Sequence, residues 1–269
     1  MLLFHSLVAA PSEEFLVLRS RSYGMFCIFQ DVITALYTYE HDGYAGVEID
    51  FAKTGFYYDP TKGPNWWNYY FEPISLGKSQ APHHLIVYGD HSLFGMWRVE
   101  KGMTREEVCA YVTKYIHVRP SIQSTVDRFV NKKFKGYYVI GIHYRGTDKV
   151  VEAPRTSYAS AKAEIDKQLS QNQDKKCRIF VATDEQQFLD YLKECYGNKV
   201  IYDAEATRST NGKPKHENPL SPYAEGKHAL IDCLLLSKTD ILLRTSSNLS
   251  MASTFFNLNL PVIELSRRY

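Results

Sequence analysis

The 269-residue sequence is poor in cysteine and carries little net charge. Its five cysteines are scattered and odd in number, with no C-x-x-C pair, so they indicate neither a disulfide framework nor a zinc site. We expect a reducing compartment. The formal charge of +2 is mixed along the chain, which argues against nucleic acid or an anionic membrane as a general partner. Any anion is therefore expected to bind locally.

Long apolar runs and two common nucleotide-binding motifs are also absent. The opening MLLFHSLVAAP is apolar, but no positive charge precedes it and it is shorter than the roughly 20 residues of a membrane span. We interpret it as a first strand, with a trimmed signal or anchor as the alternative. Neither G-x-x-x-x-G-K-[ST] nor G-x-G-x-x-G occurs, which disfavours a P-loop or dinucleotide-binding enzyme. We expect no membrane span and a cytoplasmic protein, of bacterial or viral origin.

The first half of the chain has a strand, helix, strand pattern. EEFLVLRS, MFCIFQDVITALYTYE and GYAGVEIDF predict these three elements, and HHLIVYG predicts a further strand. YYDPTKGPNWWNYYFEPI, which lies between GYAGVEIDF and HHLIVYG, shows neither the helical nor the strand spacing of apolar residues and predicts a structured loop. TREEVCAYVTKYIHV predicts a helix whose capping box pairs Thr104 with Glu107. The following SIQSTVDRFVNKKF predicts that this helix continues up to Gly136.

The second half alternates strands and helices throughout. The strands are predicted at YYVIGIHYR, CRIFVAT, KVIYDA, DILLRTS and PVIEL, and the helices at SYASAKAEIDKQLSQ, DEQQFLDYLKECYG, EGKHALIDCLLLSKT and NLSMASTFFN. Continuous apolar strands of this kind are typical of a parallel sheet covered on both faces. The predicted fold is therefore α/β, with two Rossmann-type units at residues 1–135 and 136–269.

Polar residues follow three predicted strands of the second half, where open parallel sheets bind ligands. The first group contains His143, Arg145, Thr147, Asp148 and Lys149. Arg145 can bind a phosphate bidentately and Lys149 can add a point charge, which suits a diphosphate. The alternative is an ion pair of Asp148 with either cation that merely caps the strand.

The other two strand ends offer hydroxyl groups and a helix N-terminus. Ser246, Ser247 and Asn248 begin a predicted helix, whose unpaired amides and dipole favour an anion. Simple N-capping by either serine is the alternative. Thr183 and Asp184 follow the middle strand, where capping of the next helix is again the alternative.

One carboxylate lies among apolar neighbours in ALIDCLLLS. Burial of Asp232 costs free energy unless the group is paired. A base edge with N–H donors, such as that of guanine, is one candidate partner. A helix cap or an arginine is the alternative.

These motifs, in order and at sensible spacing, resemble those of the α1,6-fucosyltransferases, the nodulation fucosyltransferases and the protein O-fucosyltransferases. HYRGTDK resembles H-x-R-R-T-D-K, VATDEQ resembles the second motif, and ALIDCLLLSKTDILLRTSSN resembles the third. RSYGMFCIFQDVITALYTYEHDGYAGVEIDF is similar to their glycine turn, helix and strand. The resemblance is strong over residues 139–265 and looser before them. It implies a GT-B-like fold, with two Rossmann-type units facing a central cleft.

The resemblance also implies roles for donor-binding residues, mostly in the second unit. Arg145 matches the arginine that binds the donor β-phosphate, and His143 and Asp232 match residues that bind the base. Ser247 matches a phosphate contact, and Gly24 matches the glycine turn that faces the diphosphate. The partners implied are a nucleotide-diphosphate sugar and a glycan or glycoconjugate acceptor.

Gly146 departs from the pattern because it replaces the second arginine of H-x-R-R-T-D-K. This loss removes a cation and is expected to enlarge the space near the donor sugar. GDP-fucose is the donor that the resemblance implies, and a UDP-linked sugar such as UDP-xylose is the alternative.

The implied reaction is sugar transfer to a carbohydrate hydroxyl with inversion. Glu152 lies near the position of the catalytic base, one residue closer to the motif, and Asp50 is the second candidate unless it only caps a strand. Arg145 and Lys149 would stabilise the departing diphosphate. No two aspartates are separated by one residue, so D-x-D is missing and we expect no metal and no cofactor.

The acceptor is expected to meet aromatic side chains, which are abundant. The loop residues Trp66, Trp67, Tyr69 and Tyr70 are candidates for a sugar-stacking platform, and packing under the loop is the alternative. A non-catalytic sugar-nucleotide or glycan-binding protein on the same fold is the rival function. Release of free diphosphate from a donor would distinguish the two.

Overall fold

The computed structural model describes residues 13–77, 83–89, 102–146, 156–210 and 221–265, which contain two separate sheets. The strands are β1 (Glu14–Leu18), β2 (Gly46–Ile49), β3 (Ser75–Gly77), β4 (His83–Val87), β5 (Tyr138–Tyr144), β6 (Cys177–Thr183), β7 (Val200–Ile201), β8 (Ile241–Arg244) and β9 (Val262–Glu264). The helices are α1 (Met25–His41), α2 (Trp67–Tyr70), α3 (Arg105–Tyr115), α4 (Pro120–Phe129), α5 (Tyr158–Gln171), α6 (Gln186–Tyr196), α7 (Pro222–Leu236) and α8 (Asn248–Phe255).

The second sheet has the strand order β7-β6-β5-β8-β9, and all its pairs are parallel. The chain therefore winds outward from β5 in both directions, which is the Rossmann arrangement. Such a sheet opens a crevice at the carboxyl ends of the two strands where the winding reverses, here β5 and β8. The predicted α/β fold with a parallel sheet in the second half is confirmed.

The first sheet has the order β3-β2-β1-β4, with β1 parallel to both β2 and β4. β3 pairs antiparallel with β2 and was not expected from the sequence. Its three residues Ser75–Gly77 are too short to show a strand period. The predicted loop before β3 contains the short helix α2.

The capping box at the start of α3 is confirmed. Thr104 Oγ1 accepts a hydrogen bond from Glu107 N at 3.2 Å, and Thr104 N donates to Glu107 Oε2 at 2.6 Å. The expectation that this helix continues without a break was wrong, but helical structure does extend close to Gly136, because a π-helical turn at Val130–Phe134 follows α4. The α3 helix ends at Tyr115, and α4 starts at Pro120. Proline at a first helical position has no amide hydrogen to donate, so a new helix starts there at little cost.

Buried apolar side chains join the two halves. One cluster extends from Leu16 in β1 to Leu260 near the C-terminal end and includes residues of α1, α4, α7 and α8. A second, smaller cluster packs α5 and α6 on the opposite face of the second sheet. The boundary near Lys135 separates the two sheets, but it does not separate their cores, and the division at residues 135 and 136 stays a prediction.

Arg105 links α3 of the first half to the end of α8 in the second. Its guanidinium donates to the carbonyl oxygens of Thr254, Asn257 and Leu260 at 3.3, 2.6 and 3.2 Å. The last carbonyls of a helix have no partner within it, so this side chain satisfies groups that would otherwise need water.

We expect Arg105→Ala to lower the free energy of unfolding by about 1.5–3 kcal/mol, the usual contribution of hydrogen bonds to a charged group. Chemical denaturation of Arg105→Ala and of a control variant, Arg128→Ala, measures the free energy of unfolding of each relative to the wild type. Arg128 is exposed, and among the described residues its hydrogen bonds stay within α4, so its loss should change stability by less than about 0.5 kcal/mol. Equal effects of the two substitutions would contradict the link between the halves.

Candidate functional site

The carboxyl ends of β5, β6 and β8 meet around Arg145. Arg145 N donates to Thr245 Oγ1 at 2.9 Å, which joins the end of β5 to that of β8. Arg145 Nε lies 3.1 Å from Asp184 Oδ2, and Gly146 N donates to Asp184 Oδ1 at 3.0 Å. The three strand ends that were predicted to meet at one crevice thus lie together in the structure. Asp184 orients the guanidinium of Arg145, which is a positioning role.

Thr183 has a structural task at the same edge. Its hydroxyl donates to Tyr144 O at 2.8 Å and accepts from Glu185 N at 3.1 Å. Both bonds lie within the protein and fix the ends of β5 and β6 relative to each other. The capping alternative therefore describes Thr183 better than direct donor contact.

Gly146 does not enlarge the site, which corrects the expectation from the sequence. A Cβ atom at this position would stand 1.9 Å from Glu185 Oε2 and 3.0 Å from Tyr144 Cε1. The carboxylate of Glu185 therefore occupies the space that the missing side chain leaves. An arginine at position 146 would require Glu185 to move.

The N-terminus of α8 faces the crevice with an unusual cap. Ser247 holds the N-cap position, but its hydroxyl makes no capping hydrogen bond. Ser250 Oγ instead donates to the carbonyl oxygens of Thr245 and Ser247, both at 3.1 Å. Simple N-capping therefore does not account for Ser247, whose hydroxyl adjoins helix amides that can bind an anion. The preceding Ser246 belongs to the same junction.

The next residue, Asn248, contacts the first half of the chain. Its Oδ1 accepts a hydrogen bond from Gln30 Nε2 of α1 at 3.2 Å. Gln30 is buried, so this bond holds α1 against the start of α8.

The N-terminus of α1 lies near the same crevice. Gly24 is the N-cap, and apart from its immediate chain neighbours no described residue comes within 4 Å of where its Cβ would be. Met25 N donates to the hydroxyl of Tyr57 at 3.0 Å. Burial raises the pKa of Tyr57 to about 12, and the nearby charge of Arg145 opposes this rise. Tyr57 therefore keeps its proton at neutral pH and lies within electrostatic reach of Arg145.

Tyr57 was missed from the sequence. It belongs to a loop rich in tyrosine, where no spacing distinguishes it from its neighbours. Only the tertiary contact with Met25 identifies it.

His143 Nδ1 and Asp232 Oδ1 are among the buried polar atoms that have no hydrogen-bond partner within the part of the chain that the structure describes. Side chains alternate along β5, and Ile140 and Ile142 pack against the α5 and α6 layer. His143 consequently points to the opposite face, whose apolar cluster includes side chains of α7. Asp232 lies on α7, so both unsatisfied groups belong to one face of the sheet.

The protonation of these two groups follows from burial. Burial, with the charges of Arg145 and Arg244, lowers the pKa of His143 to about 3, so its imidazole is neutral. Burial, reinforced by the charge of Asp203, raises the pKa of Asp232 to about 8. An unsatisfied buried donor or acceptor costs about 1–3 kcal/mol, which a polar ligand can recover.

Asp50 is engaged in local contacts. It forms an ion pair with Arg19, and its Oδ1 accepts a hydrogen bond from Ala52 N at 3.0 Å. These are the contacts of a strand-end cap, which was the alternative for this residue.

The two tryptophans are not an acceptor platform, which corrects that expectation. Trp66 and Trp67 are 0% and 1% exposed, so neither ring offers a face to a sugar. Trp67 stacks on Phe71 with ring centroids 4.2 Å apart, and Trp66 packs on Phe51 at 4.9 Å. The aromatic loop folds into the core because burying large rings stabilises the protein more than exposing them.

The two tyrosines of this loop differ. Tyr70 is buried and donates to Tyr223 O at 3.0 Å. Tyr69 is partly exposed, and its hydroxyl donates to Asp59 O at 2.8 Å. Tyr69 thus stays a candidate for acceptor contact.

Four predicted residues, Thr147, Asp148, Lys149 and Glu152, lie outside the described residues. Within the described ranges, no three His, Cys, Asp or Glu side chains are grouped so that they could hold a metal ion. Among the described helices, none has both the length and the apolar character needed to cross a bilayer.

Comparison with known proteins assigns the sequence to a family. A family model described as Nodulation protein Z (NodZ) matches residues 84–265. A solved NodZ α-1,6-fucosyltransferase soaked with GDP-fucose is 17% identical, with a TM-score of 0.62 over 93% of this chain and 94% of that one. No curated protein matches in sequence.

Two further structures are similar at lower identity. An Arabidopsis thaliana FUT1 mutant in complex with GDP is 13% identical, with a TM-score of 0.55 over 94% of this chain and 70% of that one. POFUT1 in complex with GDP is 10% identical, with a TM-score of 0.54 over 95% of this chain and 99% of that one. These similarities concern the fold, and they confirm the predicted fucosyltransferase-type architecture.

Proposed function

The chain belongs to the nodulation protein Z family, and from this membership we propose an inverting glycosyltransferase that transfers fucose from GDP-fucose to a carbohydrate hydroxyl. The observation that carries the proposal is the meeting of Arg145 with Thr245 and Asp184 at the carboxyl ends of β5, β8 and β6, next to the uncapped start of α8. A related structure was soaked with GDP-fucose, and others hold GDP. The acceptor is a glycan or glycoconjugate.

The diphosphate is proposed to bind between Arg145 and the first turn of α8. Asp184 presents the guanidinium, and the hydroxyl of Ser247 with the amides behind it supplies uncharged donors. Tyr57, protonated at neutral pH, is placed to donate a further hydrogen bond from the first half. These groups would stabilise the charge that grows on the departing diphosphate, so no step requires a metal.

The base is proposed to bind to His143 and Asp232. The edge of guanine carries the O6 acceptor and the N2 donor, and it also has an N1–H. A carboxylate fits two adjacent N–H donors, which guanine has and uracil does not. The unsatisfied Oδ1 of Asp232 therefore favours GDP over UDP as the nucleotide.

In the proposed transfer, a carboxylate takes the proton of the acceptor hydroxyl as its oxygen attacks the anomeric carbon. The bond between that carbon and the diphosphate oxygen breaks, and GDP leaves with the electron pair. Glu152 is the first candidate for the carboxylate. Asp50 is the second, and its carboxylate is already paired with Arg19.

The purified protein tests this function when it is incubated with GDP-fucose, GDP-mannose or UDP-xylose and a panel of oligosaccharides. We expect GDP release from GDP-fucose, and a product whose anomeric configuration is opposite to that of the donor. Nucleotide binding with no release from any donor would support the rival reading as a non-catalytic binding protein.

Ser247→Ala separates ligand binding from helix capping. Losing a functional N-cap hydroxyl usually costs about 1 kcal/mol, but Ser247 makes no such bond, so its loss should cost less than about 0.5 kcal/mol. The KM for GDP-fucose should rise about fivefold, because a neutral hydrogen bond contributes roughly 1 kcal/mol.

Ser157→Ala is the matched control. Ser157 caps α5 by accepting from Ser160 N at 3.0 Å, so its loss should lower stability and leave the KM unchanged. Thermal melts and donor titrations of both variants would contradict the proposal if the two behaved alike.

A further inference from the structure

His228, one helical turn before Asp232 on α7, is paired with Asp203 in a largely buried position. His228 Nδ1 is 2.6 Å from Asp203 Oδ2, and the two side chains are 13% and 12% exposed. Asp203 follows β7, and its Oδ1 accepts from Glu205 N at 3.0 Å, which fixes the carboxylate. Residues four apart lie on the same face of a helix, so His228 is a neighbour of Asp232.

Charged groups from both packed elements surround this pair. Asp232 is faced by Asp203 and Arg208 from the segment after β7, and by His228 from its own helix. His228 is faced in addition by Lys227 of α7 and by Glu205, whose Oε2 lies 3.9 Å from Nε2.

The remaining cation of the cluster is held by the backbone. The guanidinium of Arg208 donates to Asp203 O and Ala206 O, both at 3.0 Å. Arg208 is thus fixed by its own loop, whereas His228 lies on the same helix as Asp232, four residues before it.

The raised pKa favours the charged form of His228 but the neutral form of Asp232. The hydrogen bond to Asp203 raises the pKa of His228, which favours its charged form. Burial and the charge of Asp203 raise the pKa of Asp232 to about 8, and the charges of Arg208 and His228 oppose that rise. In the free protein at neutral pH, Asp232 therefore retains a proton, whereas a carboxylate that accepts two N–H donors must be ionised.

We propose that His228, held by Asp203, is a positioning residue that sets the ionisation of Asp232, so that guanine nucleotide binding releases a proton. This inference rests on the proposed function, because it takes Asp232 as the group that binds the base. His228 need not touch the nucleotide. Its cation lies beside a carboxyl group that must become an anion for the complex to form.

The sign of the pH dependence follows from the two states. The free protein holds the Asp232 proton below about pH 8 and the complex does not, so protons compete with the nucleotide. Affinity for GDP should therefore rise about tenfold per pH unit and level off above pH 8. Removing the His228 charge makes ionisation harder, so the plateau should begin at higher pH.

Calorimetric titration with GDP between about pH 6 and 9 tests the proposal, in two buffers of different ionisation enthalpy. We expect the wild-type protein to release about one proton per GDP at neutral pH. His228→Gln should move the midpoint upward by about one pH unit, which corresponds to about a tenfold loss of GDP affinity below the midpoint. His228→Lys, which restores a cation, should keep the wild-type midpoint.

Glu205→Gln is the matched control, since its side chain is 79% exposed and its loss should not move the midpoint. GDP binding by the wild type with no proton release, or an unchanged midpoint in a folded His228→Gln, would overturn the proposal and leave the proposed function intact. No GDP binding at any pH would instead refute the proposed function. Should His228→Gln not fold, His228→Asn, which also lacks the charge, takes its place and the same two outcomes decide.

Discussion

Arg145→Ala is expected to lower the rate of sugar transfer by about 10²–10³-fold, the usual effect of removing one group that stabilises charge in the transition state. It should also weaken GDP binding about ten- to a hundredfold, because hydrogen bonds to charged groups contribute roughly 1.5–3 kcal/mol. The guanidinium is about one-fifth exposed and is oriented by Asp184, so it can meet an anion without rearranging. Steady-state kinetics and calorimetry measure the two effects.

The control for this variant is Arg128→Ala, which removes an exposed arginine of α4. Both variants should retain the wild-type melting temperature within a few degrees, which shows that the loss at Arg145 is functional. Wild-type rates in a folded Arg145→Ala variant would remove Arg145 from the site.

Glu152→Gln is expected to lower transfer by about 10²–10⁴-fold, the contribution of general base catalysis. The amide keeps the shape of the carboxylate but cannot accept the acceptor's proton, so GDP should bind with unchanged affinity. Transfer rates, measured beside GDP titrations, separate chemistry from binding.

Asp50→Asn and Glu194→Gln complete the comparison. Glu194 is exposed on α6 and should have no effect. Asp50 bonds Arg19 and Ala52 N, so its loss should affect stability more than rate. If Glu152→Gln kept full activity and Asp50→Asn lost it, Asp50 would be the base.

Most of the fold could be predicted because its determinants are local. Continuous apolar runs marked the parallel strands, and residues three apart marked the capping box at Thr104. Two elements were missed or merged for local reasons as well. β3 is too short to show a period, and the break before Pro120 was hidden by apolar residues that continue across it.

The site could be predicted only as far as strand ends define it. The convergence of residues after β5, β6 and β8 follows from the parallel sheet, and the structure agrees. The partners that complete the site come from distant positions. Asp184 orients Arg145 from a neighbouring strand, Tyr57 comes from the other half, and Glu185 fills the space beside Gly146. No spacing in the sequence encodes such contacts.

The central claim is that the crevice around Arg145 binds a guanosine diphosphate, and a thermal-shift titration tests it most directly. A ligand that binds only the folded state raises its stability, so the melting temperature reports binding. We predict a clear rise with GDP, a smaller one with UDP, and almost none with guanosine, which lacks the diphosphate, or with GDP added to Arg145→Ala. Equal melting temperatures with and without GDP, at concentrations up to about the millimolar range typical of weak nucleotide binding, would contradict the account.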